Sequence, residues 1–106
     1  MHTTTLRIPA SRRAPVQCVL YLPQDERQGP GTIVHLTHAR CHIESSLSVS
    51  PGMIVSLYLI LPDAPQDIAI ETALVTWARK GELGIQIQQI QPAEAYQLKQ
   101  LLATSA

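Results

Sequence analysis

The sequence predicts a mainly β protein, a six-stranded antiparallel β-barrel with one C-terminal α-helix. Between residues 16 and 90, short aliphatic and β-branched segments alternate with clusters of Gly, Pro, Ser and Asp. After Pro92 the apolar spacing changes to three and four residues, which is the period of a helix. Short strands at regular turn spacing favour a barrel, and closure removes exposed edges from strands this apolar.

Length and composition fit a single small domain. The 106 residues include eight basic and eight acidic side chains, so the formal net charge is zero. DNA and RNA are not expected as partners, because a chain without net positive charge lacks the electrostatic field that attracts extended polyanions. The longest apolar run, residues 53–61, is far shorter than the roughly 20 residues of a membrane helix. With no signal peptide visible, the sequence predicts a cytoplasmic protein without membrane insertion.

The first half of the chain predicts a leader and three strands. Residues 1–14 are a polar, basic leader in which Pro9 disfavours regular structure. Alternation along the second strand would place Ile33 on one face and Leu36 on the other. The elements expected here are a strand at 16–22, a loop at 23–31 broken by Gly29-Pro30-Gly31, a strand at 32–37, a turn at 38–40 and a strand at 41–45.

The second half predicts three more strands and the helix. Gly52 and Gly81 are the expected positive-φ residues of two turns. The strand at 67–78 has apolar residues on both faces, which indicates a bend or a change of role along its length. The elements expected here are a loop at 46–52, a strand at 53–61, a turn at 62–66, a strand at 67–78, a turn at 79–82, a strand at 83–90 and a helix at 92–103 with the stripe Ala95, Leu98, Leu101 and Leu102.

Three side chains have two interpretations each. Cys18 and Cys41 have apolar neighbours and are predicted to be reduced and buried, with a disulfide between them as the less favoured alternative. Trp77 is predicted to pack inside the barrel or under the helix, and an interface with a partner is the alternative. Surplus apolar residues in 53–61 would leave outward surface for a partner protein or a second copy of the chain.

Two stretches of the sequence resemble a known family. They are Pro51-Gly52-Met53-Ile54-Val55-Ser56-Leu57-Tyr58-Leu59, and Ala73-Leu74-Val75-Thr76-Trp77 followed by Gly84-Ile85-Gln86-Ile87. Both are similar to framework segments of the PilZ domain, a bacterial six-stranded barrel with a C-terminal helix, many members of which bind cyclic di-GMP. The resemblance runs from about Arg7 to Leu102. It implies a basic leader at 1–14 and a PilZ-like barrel with its helix at 15–106.

The first ligand signal of the family is incomplete in this sequence. PilZ domains carry an Arg-x-x-x-Arg pair in the leader, where guanidinium groups bind phosphates bidentately and stack on guanine. The leader has Arg7, Arg12 and Arg13, which are spaced by five, six and one residues. No two arginines stand four apart, so one arginine is missing from its expected place.

The second ligand signal, Asp/Asn-x-Ser-x-x-Gly, falls on residues 35–40. Thr37 keeps a hydroxyl, but His35 replaces the acceptor. Arg40 replaces a glycine, and its β-carbon and cation would crowd a ligand. The residues that the resemblance implies for cyclic di-GMP binding are Arg7, Arg12, Arg13, His35, Thr37 and Arg40.

Neither a metal site nor an enzyme is predicted. Zinc ligand types occur at His35, His38, Cys41 and His42, but alternation sets His42 opposite Cys41, so these four are remote candidates only. Because Cys41 and His42 point to opposite sides of the strand, His42 is not expected to act as a base for a Cys41 nucleophile. No Gly-rich phosphate loop or nucleophile elbow is present, and no cofactor is expected.

The sequence therefore predicts a non-catalytic, PilZ-like binding module. The favoured hypothesis is an adaptor that contacts a partner protein of a signalling or motility pathway and binds cyclic di-GMP weakly or not at all. The alternative is a functional cyclic di-GMP receptor with a non-standard arginine clamp. Its ligand would order the leader against the barrel and create a surface for a partner. A homodimer is a further alternative.

Overall fold

A computed structural model describes the backbone of residues 6–7 together with residues 16–61 and 67–104. These residues form seven strands and one helix. In chain order they are β1 (Leu6–Arg7), β2 (Gln17–Leu22), β3 (Arg27–Leu36), β4 (Arg40–Glu44), β5 (Ile54–Ile60), β6 (Ile68–Arg79), β7 (Glu82–Gln89) and α1 (Pro92–Thr104).

Six strands close into an antiparallel barrel. Their order is β3-β2-β5-β6-β7-β4, and β4 pairs back with β3. Each strand buries alternate aliphatic side chains in one shared core, where a buried Leu, Ile or Val contributes roughly 1.5–3 kcal/mol. Helix α1 buries Leu98 and Leu102 in the same core. The predicted six-stranded barrel with a C-terminal helix is confirmed.

The leader contributes the short strand β1. Leu6 pairs with Leu36 and Arg7 pairs with His35, at the end of β3. Strand β2 pairs with the earlier part of β3, along the same edge. The expectation of an irregular leader is therefore wrong for these two residues, and Pro9 lies outside the described residues. The backbone of Arg7 is fixed beside His35.

The predicted loop at 23–31 is wrong beyond residue 26, because β3 begins at Arg27. Gly31 faces the interior of the barrel rather than a turn. A β-carbon there would lie 2.8 Å from Ile43 Cγ2 and 2.9 Å from Leu20 Cδ1. Glycine serves the close packing of three strands at this point.

Pro30 also fits within β3 without breaking the sheet. Its carbonyl accepts a hydrogen bond of 2.7 Å from Ser45 Oγ, on the side away from β2. The backbone N and C=O of a strand residue face the same edge, so the missing N–H of Pro30 removes no bond to β2. Sequence alone predicted that the Gly-Pro-Gly cluster breaks the strand. Its actual roles depend on the neighbouring strands β2 and β4, which a single segment does not reveal.

A β-bulge in β3 alters the predicted faces. Ile33 pairs with Ile43 and His35 pairs with His42, so Val34 is an extra residue on β3. Ile33 and Leu36 are consequently both buried. The expectation that they lie on opposite faces is wrong, because simple alternation does not include the inserted residue.

The change predicted along residues 67–78 is confirmed in β6. The strand first buries Ile68 and Ile70, then Ala73 and Val75. The buried set changes from even to odd positions at a register shift against β5. This extra residue lets one long strand keep apolar side chains inward on both sides of a bend.

The turns and the helix follow the prediction where they are described. Gly52 has φ 93° and Gly81 has φ 82°, the left-handed region that glycine adopts at low cost. The helix extends to Thr104, one residue beyond the predicted end. The predicted turn at 62–66 lies outside the described residues. No helix in the described part of the chain is long and apolar enough to cross a membrane.

Candidate ligand site on the outer wall of the barrel

Strands β3, β4, β6 and β7 border a depression of about 380 Å³, here called the outer depression. Three of the six predicted ligand residues, His35, Thr37 and Arg40, meet there. The backbone of Arg7 lies at its border through pairing with His35, and Arg12 and Arg13 lie outside the described residues. The full lining is His35, Thr37, Arg40, Cys41, His42, Thr76, Trp77, Gly84 and Ile85.

The Thr37 hydroxyl organises its own turn. Its Oγ1 accepts hydrogen bonds from the backbone N–H groups of Ala39 at 3.2 Å and Arg40 at 2.9 Å. The Thr37 N–H donates to the Arg40 carbonyl at 2.9 Å. The hydroxyl at the family's motif position is therefore committed to holding residues 37–40 together.

The Arg40 side chain is exposed and makes no hydrogen bond or ion pair with the described residues. Its backbone is fixed twice, by the Thr37 turn and by pairing with Gln86 of β7. The guanidinium is therefore a cation on a rigid base, available at the edge of the outer depression.

A second bulge in β6 determines where Trp77 points. Val75 pairs with Ile85 and Trp77 pairs with Gly84, which leaves Thr76 as the extra residue. The bulge turns Trp77 onto the outer wall, where its indole lies against Gly84 so closely that a β-carbon would collide with the ring. The expectation that Trp77 packs inside the barrel or under the helix is wrong.

The His42 ring lies at the centre of an aromatic and ionic cluster. Its centroid is 6.2 Å from the nearly parallel His35 ring and 5.1 Å from the Trp77 ring, which it meets edge to face. His42 Nε2 and Glu82 Oε1 share a hydrogen bond of 2.7 Å. These contacts fix the imidazole orientation and place a carboxylate beside the outer depression.

Arg79 completes this cluster from the β6–β7 hairpin. Its Cζ lies 4.9 Å from the Trp77 ring centroid, a cation–π distance. Its Nε lies 3.7 Å from Glu82 Oε2. Glu82 thus connects His42 to Arg79, and Arg79 covers the indole.

The remote metal candidates do not converge. Cys41 is buried in the core, whereas His42 lies outside with its Nε2 on Glu82. His38 is exposed and does not line the outer depression. Within residues 16–61 and 67–104, no group of three or more His, Cys, Asp or Glu could hold a metal ion.

Both cysteines are buried and carry free thiols, as predicted. Burial raises the pKa of the Cys18 thiol from 9.0 to about 12. Burial also raises the pKa of the Cys41 thiol, and the nearby Cys18 adds to that increase. Because the thiolate is the reactive species, neither side chain has the character of a nucleophile near neutral pH.

Sequence reasoning missed the cluster of Trp77, His42, Glu82 and Arg79. The sequence feature that could have revealed this cluster is the hairpin. If Lys80 and Gly81 form the turn, strand pairing on either side of them places Trp77 opposite Gly84. Gly84 alternates with two inward aliphatic residues, so it faces outward and Trp77 follows it. A tryptophan opposite an outward glycine indicates a ring covering that glycine.

Comparisons with known proteins address the fold. No protein-family model matches the chain, and no curated protein matches it. Among solved structures it is similar to the PilZ domain with c-di-GMP of YcgR from Escherichia coli, with a TM-score of 0.75 and 11% sequence identity. The alignment covers 99% of this chain and 90% of that chain. The chain therefore has a PilZ-like fold.

Proposed function

We propose that the protein is a non-catalytic binding module that serves bacterial signalling as an adaptor, through contacts with a partner protein and with weak or lost affinity for cyclic di-GMP. One observation carries this proposal: apart from Arg40, the polar and aromatic side chains of the outer depression already contact neighbouring groups of the protein. The PilZ-like fold supports a binding role, and the engaged groups disfavour the nucleotide. The cytoplasmic location stays a prediction from the sequence.

The charges of the outer depression suit a dianion poorly. Cyclic di-GMP carries two phosphates, which are best held by two guanidinium groups. Arg40 is the one cation among the described lining residues. Glu82 holds a carboxylate beside this surface, and Thr37 has no free hydroxyl donor for a phosphate because its Oγ1 is 3.4 Å from the Arg40 carbonyl.

The aromatic groups of the outer depression are also covered. Arg79 lies over the Trp77 ring, and Gly84 lies against its five-membered part. The His42 ring contacts both Trp77 and His35. A guanine base would have to displace one of these contacts before it could stack, which lowers the affinity.

Outward apolar side chains support contacts with a protein. Among the described residues the exposed large hydrophobic side chains are Tyr58, Ile60 and Tyr96, with exposed fractions of 48%, 37% and 64%. Tyrosine is enriched in protein interfaces because it combines an apolar ring with a polar hydroxyl. These residues give a partner protein, or a second copy, apolar surface to bury.

A receptor for cyclic di-GMP is the second candidate, and one observation favours it. Strand β1 pairs with β3 beside the outer depression, so residues 6–7 of the leader lie next to Leu36 and His35. Arg7, Arg12 or Arg13 would then supply the second guanidinium, opposite Arg40. The adaptor and the receptor differ in whether the leader completes the site.

Isothermal titration of the full chain with cyclic di-GMP separates the candidates. The adaptor predicts a Kd weaker than about 100 µM, or about 5.5 kcal/mol of binding free energy. A micromolar Kd that is lost in the double variant Arg12→Ala, Arg13→Ala overturns the adaptor, because one bidentate clamp contributes about 1.5–3 kcal/mol. Arg27→Ala is the matched control, since Arg27 binds Asp25 at 2.8 Å and does not line the outer depression.

A further inference from the structure

A groove of about 460 Å³ lies between residues 46–51 and the β6–β7 hairpin. Residues 46–51 are here called the strap, and the space is the strap groove. The strap, with three serines and three apolar residues, occupies one side, and the hairpin, with Arg79, Lys80 and Glu82, occupies the other. The lining is Ser46, Leu47, Ser48, Val49, Ser50, Pro51, Ala78, Arg79, Lys80, Gly81 and Glu82.

The strap is attached to the hairpin strands at both ends. The Ser45 N–H donates to the Gly81 carbonyl at 3.1 Å, and the Gly52 N–H donates to the Val75 carbonyl at 2.8 Å. These two bonds fix the length of the groove. Between them, no described backbone bond joins residues 46–51 to β6.

The first residues of the strap lie toward β3. Ser45 Oγ donates to the Pro30 carbonyl at 2.7 Å, and it also accepts the Leu47 N–H at 3.1 Å. Leu47 Cδ1 lies 3.4 Å from the position that a β-carbon on Gly29 would take. Leu47 thus packs on β3, and the groove lies between the strap and the hairpin.

The edge of β6 along this space is unpaired at Ala78. Strand β5 begins at Ile54, opposite Leu74, whereas β6 continues to Arg79. Arg79 and Glu82 are the hydrogen-bonded pair next to the turn of the hairpin. Hydrogen-bonded and non-hydrogen-bonded pairs alternate along an antiparallel ladder, so the N–H and C=O of Ala78 point away from β7 and toward the groove. No described group bonds to them, while the Ala78 side chain packs on the core.

We propose that the strap groove receives an extended, acidic peptide segment of a partner protein, which pairs with Ala78 as an added strand. An unpaired N–H and C=O on a strand edge is complementary to an extended backbone. This proposal rests on the proposed adaptor function and identifies its contact surface.

The charges of the groove favour acidic side chains on the peptide. Lys80 is exposed and has no ion pair with the described residues. Arg79 is 69% exposed, and its carboxylate partner Glu82 is 3.7 Å away and shared with His42. A carboxylate on the peptide therefore meets two cations, of which one is unpaired and one is weakly paired.

The probes are two synthetic hexapeptides with blocked ends, one alternating Glu and Val and the other alternating Lys and Val. They are titrated into ¹⁵N-labelled full chain, up to about 1 mM peptide. We expect the acidic peptide to shift the Ala78 amide resonance and to bind at least fivefold tighter than the basic peptide. Trp77, the single tryptophan, touches Arg79 and lines the outer depression, so its fluorescence reports binding at either place and the Ala78 shift assigns the binding to the groove.

Ala78→Pro removes the groove-facing N–H and no β6–β7 bond, so the fold is kept and acidic-peptide affinity falls at least tenfold. Ala78→Gly keeps the N–H and is the matched control. If the proline variant does not fold, Lys80→Glu tests the same groove, with an expected loss of at least fivefold at low salt.

The proposal is overturned by no shift of Ala78 at the highest peptide concentration, by equal affinities for Ala78→Pro and Ala78→Gly, or by equal affinities for the two peptides. Shifts confined to His42 and Trp77 also overturn it, because they place the peptide in the outer depression. Tight binding of cyclic di-GMP overturns the proposed adaptor function separately, since it is measured without a peptide.

Discussion

The barrel has two unlike walls. Strand β2 pairs with β3 and β5 without a register shift, and the outward side chains of β2 and β5 carry no charge. The opposite wall, formed by β4, β6 and β7 with the end of β3, contains bulges at Val34 and Thr76. Its outward side chains include His35, His42 and Trp77. The difference teaches that bulges in otherwise regular strands bring outward aromatic and titratable side chains together in this protein.

The interior does not share this difference. The regular wall buries Cys18 and Leu20, and the bulged wall buries Cys41 and Ile85 in the same cluster. Each bulge keeps the inward set apolar while it changes which residue faces outward. We therefore expect substitutions of inward residues to lower the free energy of unfolding on either wall. Substitutions of outward residues should disturb side-chain contacts on the bulged wall and have little effect on the regular wall.

The largest effect is expected from neighbouring residues on the regular wall. Leu57 is fully buried and Tyr58 is 48% exposed. Leu57→Ala should lower the free energy of unfolding by about 2–5 kcal/mol, because it leaves a cavity in a packed core. Tyr58→Ala should lower it by less than about 1 kcal/mol. Urea unfolding followed by far-UV circular dichroism measures both, and equal losses would contradict the division between inward and outward positions.

The regular wall was also the part that sequence alone predicted best. Plain alternation predicts which residues of β2 and β5 point inward, because neither strand carries an inserted residue. Where β5 shifts register against β6, the extra residue lies on β6. Gly52 and Gly81 were predicted because a positive φ is a local requirement. The stripe of the helix was predicted because it depends on one segment.

The bulged wall was predicted less well, because a bulge is set by the partner strand. Alternation along one strand separated Ile33 from Leu36, and Trp77 was predicted to be interior because it is a large aromatic residue. A bulge set by the neighbouring strand decides both positions. Of the six implied ligand residues, His35, Thr37 and Arg40 line the outer depression, since they lie within one short segment. Their role in ligand binding stays a prediction. The bond between His42 and Glu82 joins residues 40 positions apart and depends on the barrel register.

The second-largest loss of stability is expected on the bulged wall, at Gly84. Gly84→Ala places a β-carbon against the Trp77 indole, which must move. We expect a loss of about 1–3 kcal/mol in the free energy of unfolding. The single tryptophan should also show red-shifted fluorescence, because it becomes more exposed to water.

Gln86→Ala is the matched control for this substitution. Gln86 lies two residues farther along β7, on the same outward face, and is partly exposed. Its replacement should change the free energy of unfolding by no more than about 0.5 kcal/mol and leave the fluorescence maximum in place. An unchanged emission spectrum in Gly84→Ala would mean that the indole does not rest on Gly84.

The last prediction tests whether both walls shield the shared core equally, since each wall buries one thiol. The folded chain raises the pKa of Cys18 from 9.0 to about 12, and raises the pKa of Cys41 as well. Above the unfolded pKa, the unfolded chain releases thiol protons that the folded chain keeps. Stability is therefore fully present below about pH 9 and falls by up to about 1.4 kcal/mol per pH unit for each thiol above it.

Urea unfolding between about pH 8 and pH 10 measures this loss. The double variant Cys18→Ala, Cys41→Ala retains the other titrating groups, so the difference between its slope and that of the wild type isolates the thiols. The single variants should each remove part of the difference, one from each wall. A slope that changes only in Cys18→Ala would show that the bulged wall admits water to Cys41, and the interior would then be as unequal as the outside.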